Sequence, residues 1–373
     1  SNRRILSKRR TCIIMLHNLK IKEIKRETAD AVCIYLEIPE HLKSDFAYIP
    51  GQYLTLETSI NGEDVRRAYS LCTSPYTDEV PAVAIKQVEG GRMSTYLNTQ
   101  AKVGDYIDVM APNGKFITEI NPSAQKHYVL FGGGSGITPL RSILKSVLTQ
   151  EPNSRVTLIY ANRNPESVIF NDDINAWAEK YSTRFKVFHS YDEAPIGWFG
   201  LKGYLDNDKI TQILNNRIEG SYLDCEYFIC GPSLMMDVVK KGLQKNGVNT
   251  SQIHTEYFTA PTSESESVEV AVADDSVDEN FTGQGKITIH VYGKTHEVEC
   301  DEHTTILDAA NQEGLQAPYS CTIGVCTTCR AKVLKGKTHM DEREGLSDAE
   351  VDEGYILTCQ AHIRSSEVEV IYE

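Results

Sequence analysis

Four cysteines are spaced so that they could share one metal centre. Cys321, Cys326 and Cys329 form a C-x4-C-x2-C run, and Cys359 follows in a later segment. Two irons need four thiolates on one side of a loop. A short spacing lets three ligands wrap the cluster while the fourth arrives from elsewhere. Zinc is the alternative, but zinc modules usually show two paired C-x2-C hooks, and this chain has one hook plus a C-x4-C arm. Gly324 lets backbone amides approach the centre and tune it. Pro318-Tyr319-Ser320 leads into the run as an extended, turn-like segment. The other six cysteines, Cys12, Cys33, Cys72, Cys225, Cys230 and Cys300, are scattered.

Three further stretches carry residues suited to phosphates and flat rings. Arg67-Ala68-Tyr69-Ser70 offers a fork-shaped cation for a phosphate, a planar aromatic for a ring and a hydroxyl for the ring's polar atoms. A cross-strand Tyr beside a surface Arg is the plainer alternative. Gly90-Gly91-Arg92-Met93-Ser94 opens a helical stretch, where glycine amides and Ser94 could meet a pyrophosphate. The run from Gly132, Gly133 and Gly134 through Ser135, Gly136 and Ile137 to Thr138 and Pro139 lies between a strand and a helix. Such a turn brings a pyrophosphate to helix-end amides without Cβ clashes, although an ordinary tight turn would look similar.

These residues need elements to hold them. From about Leu19 to Phe116 apolar and polar residues alternate in short runs broken by Gly, Pro and Asn, as in Ala31–Ile38, Gln52–Thr58, Ala82–Val88 and Tyr106–Ala111. That texture predicts a small antiparallel β-barrel. After Pro122 strands alternate with helices. The strands are His127–Phe131, Arg155–Ala161, Phe185–His189 and Glu226–Cys230, and the helices are Pro139–Leu148, a stretch ending near Tyr181, and Ser233–Asn246. This alternation predicts an α/β domain with a parallel sheet and a ligand edge at the strands' C-terminal ends. Residues 260–284 are rich in Ser, Glu, Asp and Thr and contain no Lys or Arg, the composition of an acidic linker extended by self-repulsion. A third unit follows, with the strand pair Lys286–Tyr292 and Lys294–Glu299 and the helix Thr305–Glu313. The expected domains are thus 15–120, 121–259, a linker at 260–284, and 285–373. Trp177 and the Met235–Met236 pair read as helix core, Cys300 as structural, and the acidic Asp341–Glu353 stretch as a solvated helix, with a partner-docking surface the alternative.

Composition narrows the class. A chain of 373 residues, 40% hydrophobic and 24% charged, is ordinary for a globular protein of two or three domains. Its apolar runs are far short of a membrane span. With 52 acidic and 38 basic side chains the formal net charge is −14, which argues against nucleic acid as a partner. The basic cluster Arg3–Arg10 precedes only the short apolar run Cys12–Leu16, too brief for a secretory signal. Residues 1–14 therefore read as an extension, with Met15 a possible start and a cytoplasmic location expected. None of the ten histidines has convincing metal spacing.

The segment from Pro318 to Cys329 closely resembles a plant-type ferredoxin loop, with Ile323 where many relatives carry Ala. The resemblance implies a β-grasp domain binding a 2Fe–2S cluster through Cys321, Cys326, Cys329 and Cys359. Arg67-Ala68-Tyr69-Ser70 matches the R-x-Y-S signature of the ferredoxin–NADP reductase superfamily. That implies a flavin with Tyr69 on its ring, Ser70 bonded to the ring and Arg67 at the phosphate. Gly91, Met93 and Ser94 would then hold the pyrophosphate of FAD, with FMN the alternative, and Ile85 and Lys86 join the same cofactor-binding set. Gly133, Gly134, Ser135, Gly136, Thr138 and Pro139 resemble the superfamily's nicotinamide-nucleotide turn, and Cys230-Gly231-Pro232 its partner motif. Thr138 and Cys230 would lie where the nicotinamide docks, and Glu256 and Phe258 near the flavin. With Tyr69 and Ser70, the resemblance makes Thr138, Cys230 and Glu256 the catalytic surroundings. Arg163 ends the second strand, where an NAD-type carboxylate is missing. It could pair with a 2′-phosphate, so NADPH is expected over NADH, unless Arg163 is merely a solvated charge.

The order of these parts is similar to the reductases of phenylacetyl-CoA epoxidase systems, and also to those of ring-hydroxylating and steroid oxygenases. It implies an oxidoreductase passing electrons from NAD(P)H through FAD and a 2Fe–2S cluster to an oxygenase component. A non-catalytic 2Fe–2S carrier or redox-sensing module is the alternative from another class.

Overall fold

The computed structural model describes residues 16–258, 278, 281–315, 317–343 and 345–372. They fall into two compact units, one within 16–264 and one within 265–373. Residues 1–14 and most of the 260–284 segment lie outside the described residues. Asp278 and Phe281, expected in the linker, belong instead to the second unit. The Asp278 amide donates to the Arg364 carbonyl at 3.0 Å, and Phe281 packs on that unit's core.

The first unit opens with a six-stranded antiparallel sheet. Its order is Glu63–Ser70, Tyr53–Ile60, Tyr106–Asn113, Leu16–Thr28, Ala31–Glu37 and Ala82–Lys86. A bridge between Leu71 and Val83 joins the two outer edges, so the sheet curls closed as a barrel. Alternate residues such as Ile34 and Leu36, Leu54 and Leu56, and Ile107 and Val109 point into its core. The hairpin that carries Arg67, Tyr69 and Ser70 turns on Asn61 and Gly62, both at positive φ (56° and 83°). A two-residue Asn-Gly turn fixes register. Here it pairs Ile60 with Glu63 and, seven residues on, Tyr53 with Ser70.

The same unit continues into a parallel sheet in the order Leu201–Lys202, Phe185–Tyr191, Arg155–Asn162, His127–Gly133, Cys225–Gly231 and Ile253–Tyr257. All neighbours run parallel. The chain starts at His127–Gly133 and builds outward on both sides, so the strand order reverses there. Open parallel sheets bind ligands at this kind of switch point. The short Leu201–Lys202 strand and the helix Asn207–Arg217 escaped the sequence reading. That helix buries only Ile210, Ile213 and Leu214, so its periodic signal is thin.

Barrel and sheet share one core, in which Cys33, Cys72 and Phe116 pack with Tyr128, Leu130, Leu140 and Leu144. Trp177 lies at its margin, stacked on Tyr181 at 5.3 Å. A polar seam crosses the junction. Helix Ile137–Gln150 sends Arg141 to Asp173 (2.7 Å) and to the Cys72 carbonyl, Ser142 to the Thr73 carbonyl (2.6 Å), and Lys145 to Asp78 (2.7 Å). Buried charges survive only when paired in this way. The seam therefore joins the chain just after Ser70 to the helix that starts at the glycine turn.

The second unit is a five-stranded sheet in the order Lys294–Asp301, Gln284–Val291, Glu367–Tyr372, Arg330–Lys335 and Tyr355–Leu357. Gln284–Val291 and Glu367–Tyr372 run parallel. Helix Ile306–Gln312, capped by Thr305 accepting from the Asp308 amide, supplies Ile306, Leu307, Ala309 and Ala310 to the core. Cys300 lies buried just before it, as expected of a structural thiol. Among the described residues of the Asp341–Glu353 stretch, helix is confined to Asp348–Asp352, where Ser347 and Glu350 form a capping box. Asp341 instead accepts a hydrogen bond from His362 at 3.0 Å.

Candidate functional site

In the first unit the motifs meet at the C-terminal ends of the central strands. Cys230 is paired with Gly132 on one side and with Glu256 on the other. Ser70 reaches across from the barrel, its Oγ donating to Glu256 Oε2 at 3.2 Å. Three segments far apart in sequence thus bring Ser70, Cys230 and Glu256 together. Burial, with the Glu256 carboxylate adding to it, pushes the Cys230 thiol well above its usual range. Cys230 therefore stays protonated at neutral pH and is a compact neutral group, not a nucleophile.

The glycines here are demanded by close packing. A Cβ on Gly136 would lie 2.1 Å from the Cys230 carbonyl oxygen, and one on Gly231 would lie 2.9 Å from the Gly133 backbone. A Cβ on Gly133 would meet Pro232 at 2.6 Å and Met235 Sδ at 2.8 Å. The turn and the Cys-Gly-Pro segment are thus pressed together backbone to backbone. Met235 abuts them, whereas its neighbour Met236 is core. The paired-core reading holds for Met236 and fails for Met235. Thr138 and Pro139 are buried at the start of the helix, and Thr138 Oγ1 donates to the Ser135 carbonyl at 3.0 Å.

On the barrel, Tyr69 is half-buried, and burial raises its hydroxyl pKa against the pull of the neighbouring Arg67. Arg67 is exposed and donates to the Arg66 carbonyl at 2.7 Å. Gly91 is the N-cap of helix Arg92–Thr99, and Ser94 Oγ accepts from the Val88 amide at 3.1 Å, closing the turn. Ile85 and Met93 are buried core side chains, which leaves only their backbone for a ligand. Lys86 lies 3.7 Å from Asp30. Arg163 is exposed at the end of its strand, close enough to Asp192 to offset that carboxyl's upward shift from burial and from Glu193.

Phe258 follows the last strand and is exposed. Just before it, the Tyr257 hydroxyl donates to Asp237 Oδ1 at 3.0 Å. This tie fastens the edge strand bearing Glu256 to the helix that begins after Pro232. Changing Tyr257 to Phe should slow reduction of the flavin expected here about tenfold, the worth of one hydrogen bond to a charged group, with flavin content unchanged. Stopped-flow absorbance would check it, and a wild-type rate would count against the tie.

In the second unit Cys326, Cys329 and Cys359 are buried and Cys321 is half-buried. The thiols are electrostatic neighbours, Cys326 of Cys321, Cys321 of Cys359 and Cys359 of Cys329. Among the described residues no group of three or more His, Cys, Asp or Glu side chains is gathered for a single metal ion. Contact with the Cys321 thiol lowers the Cys359 pKa, but the Cys329 thiol and burial outweigh it and push the group up to about 12. Three buried thiols and the half-buried Cys321, brought from the loop and from a separate segment, are soft donors of the kind that would hold an iron–sulfur cluster. Gly324 (φ 78°) has no room for a Cβ, which would lie 2.6 Å from Glu342.

Comparison with known proteins identifies these parts. Residues 18–117 match the family described as "Oxidoreductase FAD-binding domain", 130–241 "Oxidoreductase NAD-binding domain", and 289–364 "2Fe-2S iron-sulfur cluster binding domain". The chain is 35% identical to a subunit of the 1,2-phenylacetyl-CoA epoxidase of Escherichia coli strain K12, over 96% of this chain and 98% of that protein. It is 36% identical to the ferredoxin reductase component of 3-ketosteroid-9-alpha-monooxygenase of Rhodococcus rhodochrous, over 92% and 93%. Phthalate dioxygenase reductase shares the fold with a TM-score of 0.57, at 22% identity, over 96% of this chain and 98% of that one. The FAD-binding match decides the flavin in favour of FAD over FMN, and a simple 2Fe–2S carrier would need neither of the first two domains. The chain belongs to the family of modular oxidoreductases whose FAD-binding, NAD-binding and 2Fe–2S domains form the reductase component of an oxygenase system.

Proposed function

We propose that this reductase serves the oxygenase component of a phenylacetyl-CoA epoxidase system, in the cytoplasm, with NADPH as its electron donor. Similarity along almost the whole of both chains to the epoxidase protein carries the choice of system. The comparable similarity to the steroid monooxygenase component supports a second reading, in which the acceptor is a steroid oxygenase. All nine cysteines among the described residues are free thiols, as a reducing compartment favours. No helix among the described residues is long and apolar enough to cross a membrane.

When bound, FAD takes an electron pair from the nucleotide and the cluster carries electrons singly. The side chains do the binding and orienting. Tyr69 and Ser70 flank the flavin ring, Arg67 faces its phosphate, and Gly91 and Ser94 shape the turn for the pyrophosphate. The segment from Gly133 to Pro139, with Cys230, Gly231 and Pro232, forms the nucleotide turn. Glu256 and Phe258 close the flavin side, and Cys321, Cys326, Cys329 and Cys359 ligate the cluster. Arg163, exposed and beside no carboxylate of its own strand, pairs with the 2′-phosphate.

Reconstitution decides the system. The purified chain, mixed with the oxygenase proteins of a phenylacetyl-CoA epoxidase, should consume NADPH only when phenylacetyl-CoA is present. Turnover with a steroid oxygenase and its ketosteroid, and none with the epoxidase, would favour the second reading. For the donor, Arg163→Ala should raise the KM for NADPH about tenfold, the loss expected for one charge-assisted contact, while the KM for NADH stays unchanged. An equal change with both nucleotides would remove Arg163 from the phosphate site.

A further inference from the structure

The four thiols are not equally protected. Cys326, Cys329 and Cys359 are buried, whereas Cys321 is half-buried at the edge of the loop. Cys359 comes from a separate segment, so something must hold that segment against the loop. On its inner side Thr358 does this. Its amide and hydroxyl both donate to the Cys329 carbonyl, at 3.1 and 3.0 Å, and the Tyr372 hydroxyl donates to Thr358 Oγ1 at 2.8 Å. Thr358 is fully buried and part of the domain interior.

On the outer side the link is Gln360. Its Nε2 donates to the Thr322 carbonyl and to the Cys359 carbonyl, each at 3.0 Å. Its own backbone is already fixed, the amide donating to the Leu357 carbonyl at 2.9 Å and the carbonyl accepting from the Asp341 amide at 3.1 Å. Thr322, next to Cys321, has φ 59°, a left-handed conformation that a β-branched residue holds only under restraint. One amide therefore spans the least buried ligand's neighbour and the fourth ligand's own carbonyl.

We propose that Gln360 is a positioning residue that locks the fourth ligand segment to the turn after Cys321 and so closes the exposed edge of the cluster site. The inference rests on the ligand assignment given above. The side chain touches carbonyls and no thiol, so it acts through Cys321 and Cys359 and not as a ligand. Losing it frees the Thr322 turn to open, and the edge by which a chelator enters opens with it.

The test uses the full chain with its cofactors, comparing wild type with Gln360→Met, Gln360→Glu and Gln360→Lys. Met and Glu keep the length of the side chain and lose the donor, and they differ in charge. Lys keeps a donor at similar reach. Bleaching of the reduced cluster by bathophenanthroline should be about fivefold faster in the Met and Glu variants, as for one lost hydrogen bond. The Lys variant should return toward the wild-type rate. The electron paramagnetic resonance spectrum should shift in the Met and Glu variants, a change that mere loss of global stability would not produce. The rate of flavin reduction by NADPH should be the same in all four. A Met or Glu variant bleaching at the wild-type rate with an unaltered spectrum would overturn the proposal, as would equal bleaching of Lys and Met. A wild-type chain with no 2Fe–2S signal at all would instead overturn the ligand assignment beneath it.

Discussion

Cys321→Ser should stop electron delivery beyond the flavin while leaving nucleotide oxidation at the flavin intact. The reason lies in the division of the chain. All four thiols sit in the second unit, whereas Ser70, Cys230 and Glu256 sit in the first. Cys321 is half-buried, so its exchange for Ser disturbs little packing and removes one of the four proposed cluster ligands. Outer-shell changes at metal sites cost about 10–100-fold, and a lost ligand costs more. Transfer to the oxygenase should accordingly fall by more than about 100-fold. Ferricyanide reduction, which draws on the flavin directly, should persist. Iron content and visible absorbance measure the first effect and NADPH–ferricyanide assays the second. Full iron with normal transfer to the oxygenase would sink the assignment of Cys321. Cys359→Ser should behave alike if, as proposed, its segment supplies the fourth ligand.

The second large effect is expected from a single methyl group. Gly136 has ordinary helical torsions (φ −61°, ψ −8°), so alanine there brings no backbone strain. Its Cβ would nevertheless fall 2.1 Å from the Cys230 carbonyl oxygen and 2.3 Å from its carbon, and backbone cannot yield as a flexible side chain can. The glycine turn must then move away from Cys230. A displacement of about 1 Å can cost about 100-fold in rate, and flavin reduction by NADPH should drop by that order. FAD content should change little, because the residues proposed for its ring and phosphates, Arg67, Tyr69, Ser70, Gly91 and Ser94, lie on the barrel and its helix. Gly134→Ala is the contrasting case. Gly134 has φ 52° and no protein atom near its would-be Cβ, so alanine there should cost about 1 kcal/mol of backbone strain and leave the contact with Cys230 intact, any loss of rate coming from the nucleotide that the turn is proposed to hold. Stopped-flow reduction of both variants separates the two roles of glycine. Equal rates in the two would show that the contact with Cys230 is not what the turn requires.

Much of the protein could be read from the chain alone. Local signals act over a few residues, so strands such as Ala31–Glu37 and the cysteine spacing both show themselves in sequence. The helix Asn207–Arg217 did not, because few buried residues mark it, nor did the three-residue strands Thr338–Met340, Tyr355–Leu357 and Ala361–Ile363, which are too short for a period to show. The expected helix across Asp341–Glu353 failed for a related reason. Acidic composition suits a solvated helix, but pairing of Thr338–Met340 with Ala361–Ile363 draws Asp341 to His362.

The amino-acid sequence by itself determined the order of the domains and the cofactor classes and picked out four thiols as candidate ligands, because these rest on residue types at short spacing. Only the tertiary structure decided which of those residues meet. Ser70 and Glu256 are 186 positions apart and touch because the Asn-Gly hairpin, the Arg141 seam and the parallel pairing of Cys230 with Glu256 each fix one side of the site. The same holds for Met235 against Gly133, and for Gln360 spanning 38 positions to Thr322. Such contacts are set by packing between distant segments, which no local pattern encodes.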